Sequence, residues 1–157
     1  MKHVIAIAFV AAFSSALLAQ KPVKEPEQFT PSNFPAGAVC AFPVRLLGGG
    51  NTNVIEFPSG RLMIVGSGTV TATNLATGRS IEFKQSGRYS EKLLTDGSVK
   101  IETSGQQLFF LLPQDVGGPG LQLVTGHAVL TYDIGTDTVT DLRVSSTPID
   151  ICSALTP

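Results

Sequence analysis

Histidine, cysteine and carboxylate side chains are the groups in this sequence that could carry out covalent or metal chemistry. Its histidines are His3 and His127. His3 falls in an N-terminal stretch with the composition of a removable export signal, so a Ser-His-Asp site in the mature chain would have to be built on His127 alone. His127 sits mid-run beside Gly126, and no Gly-x-Ser-x-Gly elbow occurs anywhere to present a nucleophile. It is expected at an ordinary strand position, and no catalytic residue is assigned. The same scarcity argues against zinc, which wants several His or Cys ligands.

Carboxylates alone suffice for glycoside hydrolysis. Glu56, Glu82, Glu91, Glu102, Asp133, Asp137 and Asp141 all fall in or near β-type runs, mostly at polar positions where a solvated face is expected. Glu56 and Arg61 flank one turn and read as a cross-strand pair. Tyr132-Asp133-Ile134-Gly135-Thr136-Asp137 places acids around a glycine, but it lacks the ligand number and length of a calcium loop. Gly48-Gly49-Gly50 and Gly117-Gly118-Pro119-Gly120 lack the lysine and following helix of a phosphate-binding loop. No metal and no cofactor is implied, and no Asn-x-Ser/Thr sequon is present.

The totals narrow the classes further. A chain of 157 residues with 43% apolar and 15% charged residues suits one domain around one core. Eleven basic against twelve acidic residues leave no excess to hold a polyanion, so nucleic acid is not an expected partner. Tryptophan is absent and there are two tyrosines, so the usual aromatic anchors of binding surfaces are scarce. The nine phenylalanines read as core.

Met1-Lys2-His3, an apolar run from Val4 to Leu18, and Ala19 compose an export signal with cleavage after Ala19, which assigns residues 1–19 to a signal peptide. The run is short of the ~20 residues that span a bilayer, and no later stretch is long and apolar enough, so no transmembrane segment is expected. A secreted, extracellular product follows. In an oxidising compartment Cys40 and Cys152 are most simply one disulfide, with free thiols or an intermolecular bridge as the alternatives.

The elements that must position these groups are short β-type runs. Residues 20–35 carry Pro22, Pro26, Pro31 and Pro35 among charged residues and read as a semi-extended Pro-rich linker. Residues 36–157 then form a single disulfide-closed β-domain in which helix is nearly absent. Val39 to Leu47 is the first run, with Cys40, Phe42, Val44 and Leu46 on one face. Asn53–Phe57 and Arg61–Val65 flank the turn Pro58-Ser59-Gly60. Further runs are broken at Gly66-Ser67-Gly68, Ala76-Thr77-Gly78, Ser86-Gly87, Thr95-Asp96-Gly97 and Gly105. Leu108-Phe109-Phe110-Leu111-Leu112 reads as core buried on both faces or as the wall of a ligand cavity. Pro113 to Gly120 is the longest irregular stretch, and Gly126 marks a bulge or bend inside the long run Leu121–Tyr132. Ile149 to Cys152 is expected to pin the end of the chain to the first strand.

Short turns between roughly nine or ten strands imply sequential antiparallel neighbours. Because a disulfide needs Cα atoms within ~7 Å, the ends must meet, and a meander whose ends meet closes as a β-barrel of about 8–10 strands. A β-sandwich is the alternative.

The series Phe34-Pro35-Ala36-Gly37, Cys40-Ala41-Phe42-Pro43-Val44, Glu56-Phe57-Pro58-Ser59-Gly60-Arg61, Thr73-Asn74-Leu75-Ala76-Thr77-Gly78, Asp96-Gly97-Ser98, Gly118-Pro119-Gly120 and Asp150-Ile151-Cys152 resembles a family of small exported β-proteins of actinomycetes and filamentous fungi. The resemblance covers Phe34 to about Leu155 and implies a shared fold. It brings no activity and no site residues with it.

Two functional expectations follow. One is a secreted, non-enzymatic binding or structural module whose interior or rim holds a small apolar ligand or contacts an extracellular surface. The other is an extracellular hydrolase or isomerase built on two converging carboxylates.

Overall fold

The computed structural model describes residues 23–28, 31–57 and 59–157. The expected export signal, residues 1–19, lies outside them. In chain order the strands are β1 (Val23–Gln28), β2 (Ser32–Phe34), β3 (Val44–Glu56), β4 (Leu62–Asn74), β5 (Ser80–Leu93), β6 (Ser98–Leu111), β7 (Gly120–Asp133), β8 (Thr138–Val144) and β9 (Ile149–Asp150). One short helix, α1 (Ile151–Leu155), closes the chain. Within the segment expected to be a Pro-rich linker, β1 and β2 are extended and pair with β3. Residues 20–22, 29 and 30 of that segment lie outside the described residues.

All strand pairings are antiparallel, and the sheet runs β1-β3-β4-β5-β6-β7-β8, with β2 added to β3 and β9 to β7. The all-β meander is therefore present, but the closed barrel is not. β1 and β8 are the two ends of the pairing path, and the sheet is an open half-barrel. Closure by a ladder does not follow from the disulfide, because neither cysteine lies in a strand. Cys40 sits in the turn region before β3, which begins only at Val44, and Cys152 sits in α1. The bridge itself forms, with Cα atoms 5.5 Å apart, and a turn and a helix satisfy its geometry as well as two strands would.

The strands are longer than a reading of glycine as punctuation suggests, because they run straight through the glycines expected to break them. Gly50 pairs with Gly68. Gly66 pairs with Gly87, Gly87 with Gly105, and Gly105 with Gly126. Gly66, Gly87, Gly105 and Gly126 thus form a glycine row crossing β4 to β7, and the Gly50–Gly68 pair lies beside it on β3 and β4. A Cβ added at Gly50, Gly66, Gly68, Gly87 or Gly105 would collide with the carbonyl oxygen of Ser67, Asn51, Gly49, Ser104 or Ser86 respectively, each on the neighbouring strand. Gly87 (φ +143°) and Gly105 (φ +102°) also adopt backbone conformations closed to L side chains. Glycine here is the bend inside a strand, which gives a curved sheet its curvature.

At this row β5 and β6 part. Their last pair is Ser86 with Gln106, whereas β5 stays with β4 almost to the β4–β5 turn and β6 stays with β7 to Leu111. The main core lies on this parted side. Val44 and Leu46 of β3, Val70 and Ala72 of β4, Leu121 and Leu123 of β7, and Ile151 and Leu155 of α1 pack together with Val39 and Cys40. Each fully buried aliphatic side chain there contributes roughly 1.5–3 kcal/mol. The apolar run of β6 divides its contacts, with Leu108 and Leu112 against this core, Leu111 buried apart from it, and Phe110 half-exposed beside the Phe34 ring at 5.4 Å.

The C-terminus is held by several polar contacts as well as the disulfide. Asp150 caps α1 by accepting hydrogen bonds from the amides of Cys152 and Ser153. Buried Asn74 donates to the Leu155 carbonyl and accepts from the Ala76 amide, and Arg79 donates to the Thr156 carbonyl. The turn Asn74–Arg79 thus serves as the seat of the helix. The Pro113–Gly120 stretch is similarly fastened, since Asp115 accepts from the amides of Leu112 and, on β8, Val139.

Replacing Gly105 by Ala combines backbone strain with collision and should lower stability by about 3 kcal/mol in urea unfolding. Gly97→Ala, at φ +87° but with open space around it, should cost only about 1 kcal/mol. Equal losses for the two would mean that the row carries no special packing. Cys40→Ser should cost ~4–5 kcal/mol by removing a loop closure, read as a lower melting temperature under oxidising conditions; an unchanged melting temperature would show that the clasp is not constraining the chain.

Candidate functional site

The inner face over the glycine row is concave. A trough of about 230 Å³ opens there, lined by Gly50, Gly66, Gly68 and Gly87 below and by Ile64, Val70, Tyr89 and Leu108 at its sides. The register explains the arrangement. Ile64 faces Tyr89 across β4 and β5, Val70 faces Phe83, and between those two bulky rungs the alternate paired positions, Gly66 with Gly87 and Gly68 with Gln85, are glycines and Gln85. Deleting side chains along a rung leaves a hollow whose floor is backbone. Gln85 and Gln107 complete the lining where β5 and β6 separate.

Tyr89 and Glu91 lie two residues apart on β5 and therefore on one face. The Tyr89 hydroxyl donates to Glu91 Oε2 at 3.0 Å. Burial, and then the charge and hydrogen bond of Glu91, push the Tyr89 phenol above its ordinary range. The phenol is thereby fixed in its neutral, donating form, and its ring stands as a rigid wall of the trough.

A second concavity of about 460 Å³ lies at the clasp between Val39, Cys40, Pro119, Gln122 and Cys152. It is larger, and its Asp150 caps α1 while both its cysteines are in the disulfide. The glycine-floored trough is the better site because Ile64, Val70, Tyr89 and Leu108 stand with the carboxamides of Gln85 and Gln107 around a backbone floor.

The chemistry-bearing residues singled out from sequence are dispersed. His127 is exposed on β7, its amide bound to Ser145 Oγ at 2.8 Å. Glu56 and Glu82 are exposed on β3 and β5. Glu102 pairs with Lys100 at 2.7 Å, which holds its carboxyl below the usual range, and Asp141 pairs with Arg143 at 3.1 Å. Asp133 accepts from the amides of Gly135 and Thr136, so this segment is a turn closed on its own acid. Asp137 accepts from the Tyr132 hydroxyl. Each of these last four acids, like Glu91, thus has a local structural partner. Among the described residues no three His, Cys, Asp or Glu side chains are grouped to hold a metal ion. No helix among the described residues is long and apolar enough to cross a membrane.

No family model matches the chain, and no curated protein or solved structure matches it either. The site is therefore read from its own geometry. In the sequence its key members look like turn glycines and ordinary strand positions, which conceals it. A usable signal was present: glycines recur at nearly regular intervals inside otherwise continuous β-type runs, and only mutual pairing puts them on one rung.

Tyr89 and Tyr132 are the two tyrosines of the chain, and there is no tryptophan. The Asp137 hydrogen bond, then burial and neighbouring acids, push Tyr132 up to about 12. Raised folded-state values mean that the stabilisation is complete below the unfolded value of 10.0 and is lost as pH rises through about 12 and beyond. Tyrosinate absorbance should therefore stay flat through pH 10 and rise only around pH 12 and beyond, or with unfolding. A full two-tyrosine transition centred on pH 10 in the folded protein would refute both hydrogen-bonded environments.

Proposed function

We propose that this chain is an exported, non-enzymatic binding module that holds a small, uncharged, largely apolar ligand in the trough over the glycine row. One observation carries the reading. Its lining contains Ile64, Val70, Tyr89 and Leu108 over a backbone floor, with amide and hydroxyl groups and no ionisable side chain other than the tied phenol of Tyr89. Binding sites for small molecules combine mostly apolar walls with a few placed polar groups, and this volume lies below the ~300–1,000 Å³ typical of drug-sized ligands. A ligand of one to three rings is the right scale.

Export is supported by the signal-like N-terminus and by the disulfide, a bond that persists in oxidising compartments. Membership of the family of exported actinomycete and fungal β-proteins belongs to the same proposal and rests on the motifs quoted above. Those motifs have structural roles here. Asn74 and Asp150 seat and cap the C-terminal helix, and Cys40 clasps it. A fold held by such motifs can be shared by proteins whose troughs differ.

Fluorescence titration with the neutral probe N-phenyl-1-naphthylamine tests the site. The probe should brighten on binding, and Ile64→Phe, which adds bulk to one wall, should weaken binding at least tenfold with an unchanged far-ultraviolet circular dichroism spectrum. Failure of the native protein to bind the probe, or binding indifferent to Ile64→Phe, would remove the trough as the site.

A further inference from the structure

We propose that the trough selects a planar, uncharged heterocycle whose edge presents a hydrogen-bond donor beside an acceptor, and that the carboxamides of Gln85 and Gln107 read that edge; this rests on the trough being a binding site. Gln85 and Gln107 occupy the positions next to Ser86 and Gln106, the last pair of β5 and β6. The two amides thus stand on either side of the point where the strands part, and both line the trough. Among the described residues neither carboxamide makes a hydrogen bond to another protein group, whereas the other polar side chain of that wall, Tyr89, is committed to Glu91.

A carboxamide offers two N–H donors and a carbonyl acceptor in one plane. That is the complement of a heterocycle edge on which a ring nitrogen or carbonyl adjoins an N–H, as when glutamine contacts adenine in a groove of DNA. The floor suits a flat partner, because Gly66, Gly68 and Gly87 carry no side chain to stand over it and a ring can lie against the peptide planes. The Tyr89 ring adds an aromatic surface for offset or edge-to-face contact. No Asp, Glu, Lys, Arg or His lines the trough, so a charged ligand would be desolvated without a counter-charge. A neutral base-like or pterin-like ring meets these conditions, and a phosphorylated one does not.

Equilibrium dialysis of the full mature chain against adenine, xanthine and uracil, beside the N-phenyl-1-naphthylamine titration, tests this. At least one heterocycle should bind. Gln85→Leu/Gln107→Leu should weaken it at least tenfold with an unchanged far-ultraviolet circular dichroism spectrum. Gln85→Met and Gln107→Met, each close to glutamine in length, should separately weaken heterocycle binding, which covers the case of a double variant that fails to fold. Probe binding with no heterocycle bound, or heterocycle binding untouched by the glutamine substitutions, overturns this inference and leaves the apolar site standing. Absence of both overturns the site itself.

Discussion

Close backbone approach at the glycine row is the constraint from which the architecture follows. At Gly66, Gly87 and Gly105 the adjoining strands come so near that a single methyl group would strike a carbonyl oxygen. Strands with side chains there could not keep this register and bend. With glycine, β3 to β7 stay paired through the bend, and β5 and β6 can separate beyond it. Separation is what makes a core possible. It lets residues of β3 and β4 meet residues of β7 and α1, elements that are not neighbours in the sheet. One continuous flat sheet of this size would have no second layer to bury its apolar face against.

The clasp acts on the far side of that bend. Cys40–Cys152, the Asp150 cap and the Asn74 and Arg79 contacts all fix α1, and α1 supplies Ile151 and Leu155 to the core. A helix of five residues has no intrinsic stability in water. Its persistence comes from the covalent bridge, the cap and burial together. The disulfide is therefore better described as locking a plug into the parted end of the sheet than as joining the first strand to the last.

That distinction explains which features were legible in the sequence. Alternation in Val99, Ile101 and Thr103, the turn after Phe57 and the pairing of the two cysteines were readable because each is a local or forced feature. The glycines were ambiguous. Ser86-Gly87 and Gly105 can end a strand or bend it, since positive φ serves both purposes, and only the partner strand decides. Gly126 was legible as a bend because the apolar run continued on both sides of it; the same logic applied to Gly87 and Gly105, where the flanking residues are polar and hide the continuity. Closure was over-read for a related reason. A disulfide fixes a distance, and strand pairing needs a direction as well, which Asp150 diverted by capping a helix at Ile151. The trough was illegible because it consists mainly of missing side chains, and an absence acquires a position only once register is known.

The same row also limits where function can reside. Several charged groups on this chain are engaged in the fold, as Glu102 with Lys100 and Asp115 with the amides of Leu112 and Val139. The inner face at the bend is different, because any side chain there would compete with the backbone contacts that create the curvature. Bending the sheet thus leaves an unfilled, uncharged hollow as a geometric by-product. Bare hollows of this kind are ordinarily filled by longer neighbouring side chains, since interiors pack at close to crystal density. Here the side chains facing it include two part-exposed glutamines and a tyrosine whose hydroxyl is held by Glu91. A merely structural solution would have placed leucine or phenylalanine at positions 85 and 107, as at Phe83 and Leu108 beside them. Amides retained at the mouth of an apolar hollow give up that packing energy, and recognition of a polar edge is the physical gain that would offset it.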